Sequence, residues 1–252
     1  MGPGMLPHHK YYLLFLCFLF ISCGLDDIFY LYPPTNSKDG RDVADPVERY
    51  FSFKTTDQEN IQNTLSNSFK GFEIFYRIYE DIAVCERERV EISDYNNKNP
   101  SDSLSYLLKT KKYATLQTTG SDKGFIQGVT VTPPFNRYVY LRLTPFGSFN
   151  ACLDLFHTYT VFPPTTPADE HLGIPIRSGS DSKEIPVERK EFFLKNIKRD
   201  DSDVLASTRN DKPDENNITA WYVNMYTVTY GFDTSFRNIY SELLPLGYVR
   251  IE

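Results

Sequence analysis

The chain has 252 residues, a formal net charge of −6 at pH 7 and 24% charged residues. This acidic balance without a basic patch excludes the electrostatic footprint of a nucleic-acid-binding protein, and of a surface that binds membranes by charge alone. The aromatic share is 15%, from 18 Tyr, 19 Phe and 1 Trp, and such side chains pack well on the half-buried surface of a β-sheet.

The chain begins with an apolar run, residues 11–23, which follows Lys10 and ends in Ser22 and Cys23. A basic residue, a short apolar segment and a small residue at the cut are the parts of a secretory signal. The run is too short for a transmembrane helix, which needs about 20 residues to cross about 30 Å of hydrocarbon. We therefore predict a signal peptide over residues 1–22.

The last four residues of this run, Phe20, Ile21, Ser22 and Cys23, resemble the lipobox of bacterial lipoproteins. Phe20 stands where Leu is usual, and the motif looks like the looser form of spirochaete lipoproteins. The resemblance implies that the Cys23 sulfur receives a diacylglyceryl group and that a peptidase then cuts before Cys23. Two or more acyl chains give stable anchoring. An uncleaved signal anchor, or ordinary secretion with a cut near Cys23, are the alternatives.

This interpretation divides the chain and gives it a location. Residues 23–46 are predicted as a lipidated tether, in which residues 30–34 begin extended and residues 35–40 form a loop. Residues 47–252 are predicted as a β-sandwich domain. The protein is then lipid-anchored in the cell membrane or the outer membrane, facing the periplasm or the cell surface.

Two cysteines, Cys85 and Cys152, remain once Cys17 and Cys23 are set aside. An exported protein can join such a pair in a disulfide. Two separate buried thiols are the alternative. Because two cysteines far apart in sequence carry no framework signal, both alternatives stay open.

Period-two alternation of apolar side chains predicts the main strands. In residues 50–55, Phe51 and Phe53 share one face. In residues 71–79 the alternation is longer, and the side chains on one face are Phe72, Ile74, Tyr76 and Ile78. Residues 221–231 alternate in the same way and predict a second long strand.

These segments resemble strands of a fibronectin type III domain, one of the immunoglobulin-like sandwiches. The Phe51 strand looks like strand B, residues 71–77 like strand C, residues 221–231 like strand F and residues 239–243 like the start of strand G, with residues 247–251 as a closing strand. The resemblance implies an all-β fold, mostly β with minor short helices, in which residues 71–79 and 221–230 share a sheet. Type III domains have a far shorter connection between strands C and F, so we expect a large inserted β-rich segment at about 80–219.

The inserted segment has its own predicted elements. Residues 101–109 read as a short helix, because Ser101 or Asp102 can cap it and leucines give it an apolar side. The charged residues 84–92 fit either a helical turn or a solvated strand, and residues 191–197 either a strand or a short helix. Further predicted strands and loops are the strands 113–118, 124–131, 138–143 and 153–162 and the loops 163–175 and 200–217.

Few side chains are placed for chemistry. Asp169, Glu170 and His171 form the one cluster of zinc-ligand types, with a solvated loop as the alternative. The acidic segments 200–203 and 211–215 lack the spacing of an EF-hand calcium loop. The sequence has no phosphate-binding glycine loop and no nucleophile elbow. We therefore expect no cofactor, no metal site and no enzymatic activity.

Aromatic side chains on the outer faces of the strands are the stronger binding candidates, if the alternation holds: Phe75, Tyr79, Tyr222, Tyr226 and Tyr230. They either form an exposed surface or lie beneath the inserted segment, and we favour the covered arrangement.

The sequence thus predicts a membrane-anchored bacterial lipoprotein without a recognisable active site. Its expected role is that of a non-catalytic interaction or structural protein of the cell envelope, with a protein or envelope component as partner and no nucleic acid. The alternative is an envelope enzyme or a solute-binding lipoprotein that uses a cleft between sandwich and insertion.

Overall fold

The computed structural model describes residues 30–38, 44–55, 69–119, 125–127, 137–158, 161–179, 185–210, 213–233 and 235–252. The predicted signal peptide and Cys23 lie outside these residues. The described strands are β1 Thr35–Lys38, β2 Phe51–Lys54, β3 Phe69–Tyr79, β4 Ala114–Thr115, β5 Gln117–Thr118, β6 Phe125–Gln127, β7 Tyr138–Arg142, β8 Cys152–Phe156, β9 Glu170–His171, β10 Pro175–Ile176, β11 Val204–Leu205, β12 Trp221–Phe232, β13 Asn238–Tyr240 and β14 Leu244–Ile251.

The helical elements are one long helix and several short turns. Helix α1 spans Ile82–Lys98, and α2, Ser103–Ser105, continues as a π-helical turn, Tyr106–Thr110. Single 3-10 turns occur at Pro46–Glu48, Pro100–Asp102, Val187–Arg189, Leu194–Asn196 and Glu215–Asn217.

Two sheets form the body of the protein. Sheet A has the strand order β1, β2, β7, β8, β9, and all neighbours are antiparallel. Sheet B is built on the long antiparallel pair β3 and β12. Strands β13 and β14 share the other edge of β12, while β4, β6 and the parallel strand β11 share the other edge of β3. A separate two-stranded ladder joins β5 and β10.

The main hydrophobic core lies between the facing surfaces of the two sheets. Alternate residues of each strand point into it, as the period of two requires. Sheet A contributes pairs such as Phe51 and Phe53, while sheet B contributes Trp221, and the facing rings of Phe53 and Phe72 are 6.3 Å apart between centroids. Other members of this core include Ile74, Tyr76, Ile78, Val139, Leu141, Leu153, Leu155, Val223 and Met225.

Helix α1 covers the outer face of sheet B and forms a third layer. The Asp81 side chain caps its N-terminus by accepting a hydrogen bond of 2.9 Å from the amide of Ala83. Such a cap satisfies one of the amides that the first turn leaves unbonded. Cys85 and Ile92 are the fully buried residues of α1, and they pack against sheet B in a second hydrophobic cluster.

The predicted mostly β architecture is confirmed, and residues 71–79 lie in the same sheet as residues 221–230. Strand β1 forms where the sequence predicted a loop after residue 34, and α1 forms where a helical turn or a solvated strand was expected. Residues 30–32 also belong to the packed structure, since Leu31 is only 2% exposed.

Candidate functional site

The inserted segment covers most of the aromatic side chains on the outer face of sheet B. Phe75, Tyr79 and Tyr226 are buried beneath α1 and the turn after α2. Tyr222 is half-buried against Tyr248, at 6.2 Å between ring centroids. The covered arrangement favoured by the sequence analysis is therefore found for this part of the sheet. Tyr230 differs, because it packs against Tyr240 outside the helices.

A chain of hydrogen bonds connects the centre of sheet B to α1. Asn224 Nδ2 donates to the Tyr113 hydroxyl at 2.6 Å, the hydroxyls of Tyr113 and Tyr79 are 2.9 Å apart, and Tyr79 donates to Glu88 Oε2 at 2.7 Å. Burial, followed by the neighbouring Tyr113 and Glu88, raises the pKa of Tyr79 well above its ordinary value. Lys111 balances the Glu88 charge at 3.4 Å. This network fixes the position of α1 on the sheet.

With α1 fixed, a groove of about 540 Å³ opens between its outer side and the end of sheet B. The helix contributes residues 86, 89, 90, 93 and 96, whose spacing places them on one side of an α-helix. The sandwich contributes Tyr226, Leu243, Pro245 and Tyr248. The groove is thus the cleft between inserted segment and sandwich that the alternative function requires.

Polar contacts define the ends of the groove. Asn96 donates to the carbonyl of Leu243 and accepts from its amide, both at 3.2 Å. At the other end, the Arg89 guanidinium lies 5.2 Å from the centre of the Tyr248 ring, and the Tyr248 hydroxyl donates to Glu86 Oε1 at 3.2 Å. Burial, together with the bond to Glu86, raises the pKa of Tyr248 to about 12, so that hydroxyl stays protonated near neutral pH.

The groove has the composition of a recognition site. It combines an apolar floor with a few positioned polar groups, which is typical of ligand and partner sites. Val90 lies at its rim and is 63% exposed. We therefore take this groove, hereafter the α1 groove, as the candidate functional site.

Comparison with known proteins gives no match. No family model matches the sequence, and no curated protein and no solved structure matches it either.

Two other concave surfaces are smaller. One, of about 460 Å³, lies on sheet A between Lys38, Tyr50, Tyr138 and Phe162, where the Lys38 ammonium sits 3.9 Å from the centre of the Tyr50 ring. The other, of about 350 Å³, includes Glu80. Glu80 accepts hydrogen bonds from Arg199 Nε at 2.9 Å and from the amide of Ser207 at 2.8 Å. Its carboxylate is therefore already bonded to groups of the protein.

Cys85 and Cys152 are both free thiols. Cys85 belongs to the cluster under α1, whereas Cys152 belongs to a different cluster that includes Tyr50, Tyr140 and Phe156. In place of the disulfide considered from the sequence, the structure has two separate buried thiols. Burial raises the pKa of Cys85 to about 12 and that of Cys152 further still, and a thiol that keeps its proton is a poor nucleophile.

The zinc-type cluster is divided among three separate partners. His171 Nδ1 is 2.6 Å from Asp154 Oδ1, and Glu170 pairs with Arg137 at 3.3 Å. Asp169 faces His157, with 3.2 Å between its Oδ2 and the His157 Nδ1. The three side chains therefore point to different neighbours, and Glu170 and His171 form strand β9 where the sequence predicted a loop.

The acidic segment 200–203 is part of a buried network of arginines and carboxylates. Arg177 Nε donates to Asp203 Oδ2 at 2.9 Å, and its Nη2 donates to Asp201 Oδ2, also at 2.9 Å. Arg189 Nη2 donates to both Asp201 oxygens, at 2.6 and 2.8 Å. Guanidinium groups thus hold the carboxylates considered for calcium, and no local sequence signal pointed to Arg177.

Two further observations concern metal sites and membrane spans. In the ranges that the structure describes, no three His, Cys, Asp or Glu side chains are grouped so that they could hold a metal ion. A bilayer-spanning helix needs both length and an apolar surface, and no helix in the described part of the chain combines the two.

Proposed function

We propose that the protein is a bacterial lipoprotein anchored in a membrane through Cys23, and that it acts as a non-catalytic interaction or structural protein of the cell envelope. Its location is the cell membrane or the outer membrane, facing the periplasm or the surface. The anchor rests on the lipobox-like residues Phe20 to Cys23. The interaction role rests on the α1 groove, whose apolar floor and few polar groups suit a protein or envelope partner.

The fold supports a finer proposal, that the sandwich is of the fibronectin type III or immunoglobulin-like kind. Strand β12 pairs with β3 on one edge and with β13 and β14 on the other. In the resemblance these neighbours correspond to strand C, to the start of strand G at residues 239–243 and to the closing strand at residues 247–251. Strand β2 lies in the opposite sheet, as strand B does. The segment between β3 and β12 then corresponds to the insertion between strands C and F.

The lipid anchor can be tested directly. Radiolabelled palmitate should label the wild-type protein in a bacterial host with lipoprotein-processing enzymes, because the acylated thiol is that of Cys23. The Cys23→Ala variant should not be labelled, and Cys17→Ala, which removes the other cysteine of the apolar run, should be labelled like wild type. Equal labelling of wild type and Cys23→Ala would contradict the anchor.

The α1 groove can be tested with two matched substitutions. A soluble chain that lacks residues 1–23 is used to capture envelope and extracellular material. Val90→Glu places a charge at the groove rim, so it should abolish capture of a partner that wild type binds. Val161 is also strongly exposed, at 74%, and does not line the groove, so Val161→Glu should bind like wild type.

The same experiment separates the two functions. A macromolecular partner lost only with Val90→Glu supports an interaction protein. A small molecule that co-purifies with wild type and is lost with Val90→Glu favours the solute-binding alternative. That alternative uses a cleft between insertion and sandwich, and the α1 groove lies between α1 of the insertion and Tyr248 of the sandwich. Unchanged capture by Val90→Glu would contradict the assignment of the α1 groove.

A further inference from the structure

The first described residues, 30–32, are held by hydrogen bonds at the base of the hairpin formed by β12 and β13. The Tyr30 hydroxyl donates to Glu242 Oε1 at 3.0 Å, and Thr229 Oγ1 donates to the carbonyl of Tyr32 at 2.6 Å. Leu31, between them, is buried. Residues 229 and 242 flank the base of the hairpin, because the first β12–β13 pair is Tyr230 with Tyr240.

This position limits how far the hairpin can lie from a lipid attached at Cys23. Six residues lie between Cys23 and Tyr30, so seven Cα-to-Cα steps join them, and at a maximum of about 3.6 Å per step a fully extended chain spans about 25 Å here. A protein anchored at Cys23 therefore keeps the Cα of Tyr30, whose side chain bonds to the base of this hairpin, within about 25 Å of the anchored residue. The opposite end of the sheets carries no such restriction.

The hairpin extends beyond its base and carries aromatic rings. Its tip lies about 15 Å further along, at about 3.4 Å per residue for an antiparallel strand. The Tyr230 ring contacts the rings of Phe232 and Tyr240, at 5.4 and 5.3 Å between centroids. At the tip, Phe236 is 85% exposed, the largest exposed fraction among the large apolar side chains of the described ranges.

The turn presents Phe236 in a defined conformation. Phe236 has a φ of 59°, in the left-handed region that is unfavourable for bulky side chains. Its amide donates to the Asp233 carbonyl at 3.0 Å, and Asp233 Oδ1 accepts from the amides of Ser235 and Arg237, both at 2.8 Å. Asp233 also pairs with the Arg237 guanidinium at 2.6 Å, so these two charges neutralise each other beside the exposed ring.

We propose that the β12–β13 hairpin contacts the bilayer that holds Cys23, with Phe236 in the boundary between headgroups and acyl chains and Tyr240 at headgroup level. This inference rests on the proposed lipid anchor. Transfer of an apolar ring at the tip from water into the bilayer is favourable in free energy. Tyrosine rings suit the membrane–water interface because one end is apolar and the other polar. The lipid anchor limits the distance between the domain and the bilayer, and the contact of the hairpin with the bilayer sets the orientation of the domain.

Tryptophan fluorescence tests the proposal in the intact protein. Trp221 is the single tryptophan and is buried, so it gives a constant background. The lipidated full-length chain, as Phe236→Trp, is reconstituted into phosphatidylcholine–phosphatidylglycerol vesicles with and without bromine on the acyl chains. After subtraction of wild type, the added emission should shift to the blue and lose intensity with brominated lipid.

Phe146→Trp is the matched control. Phe146 is 44% exposed and lies in the turn after β7. That end of β7 lies near the start of β12, at the opposite end of this strand from the hairpin. Arg142 donates to the carbonyl of Pro46 at 3.1 Å, and nearby Arg49 pairs with Glu252. Glu252 follows Ile251, the β14 residue that pairs with Trp221 at the start of β12. Emission from Phe146→Trp should be the same in both kinds of vesicle.

Flotation of the same vesicles separates the possible failures. If the wild-type protein does not float with them, the lipid anchor is contradicted and the hairpin contact with it. If it floats but bromine leaves the Phe236→Trp emission unchanged, only the hairpin contact is overturned. Equal quenching at positions 236 and 146 would also overturn it, because the protein would then have no preferred orientation.

Discussion

Replacing Arg177 by Met should lower the free energy of unfolding by about 3–5 kcal/mol, because it leaves a buried carboxylate without its cation. The side chains of Arg177 and Asp203 are both fully buried. Asp203 also accepts a bond of 2.7 Å from the Tyr76 hydroxyl, and its own carbonyl accepts from the amide of Ile78 at 3.0 Å. The network therefore holds β11 beside β3.

Urea unfolding of single and double variants measures this effect. Arg209→Met is the control, since Arg209 is 64% exposed and lies 3.9 Å from Asp81, and exposed pairs contribute about 0–1 kcal/mol. Arg177→Met combined with Asp203→Asn should recover part of the loss, giving a coupling energy in a double-mutant cycle. A loss no larger than that of Arg209→Met would show that the pair does not support β11.

The same network shows what the sequence could not predict. Arg177 and Asp203 are 26 positions apart and lie in segments without periodicity, so no local pattern connects them. The acidic run around Asp201 looked like a solvated loop or a weak calcium site. A buried carboxylate requires a cation nearby, and in this acidic run the cations are arginines that only the folded chain brings close.

Helix α1 was hidden for a related reason. Its buried side includes Glu88, whose charge is balanced by Lys111, 23 positions later. A charged residue on the buried side breaks the apolar stripe by which an amphipathic helix is recognised. The long strands β3 and β12 were predictable because apolar side chains recur at every second position over residues 72–78 of β3 and residues 221–225 of β12. The α1 groove, which needs both helix and sheet, could not be read from either pattern alone.

Cys23 stays a sequence prediction, since it lies outside the described residues. The structure changes its context all the same. The sequence predicts a tether over residues 23–46, yet Leu31 within that range is buried. Under the proposed lipid anchor, the base of the β12–β13 hairpin lies near Cys23, because Tyr30 and Tyr32 bond to residues at that base.

Glu73 should make the protein less stable as the pH rises from about 4.5 to about 7, by about 2 kcal/mol after allowance for its partial exposure. Burial raises the pKa of Glu73 from 4.5 to about 7. Its carboxylate lies on the outer face of sheet B, across from Val228, and no cation among the described residues pairs with it. Below the unfolded-state pKa the group is protonated in both states and costs nothing. Above about 7 it is ionised in both, and the folded protein then bears the cost of a poorly solvated charge.

The Glu73→Gln variant removes that cost and keeps the shape of the side chain. It should be about 2 kcal/mol more stable than wild type at pH 8 and nearly equal to wild type at pH 4, as measured by urea unfolding at both values. Glu188→Gln is the control, because Glu188 is exposed and should give the same difference from wild type at both pH values. If Glu73→Gln is no more stable than wild type at pH 8, then a cation or a hydrogen-bond donor compensates this carboxylate in the folded protein.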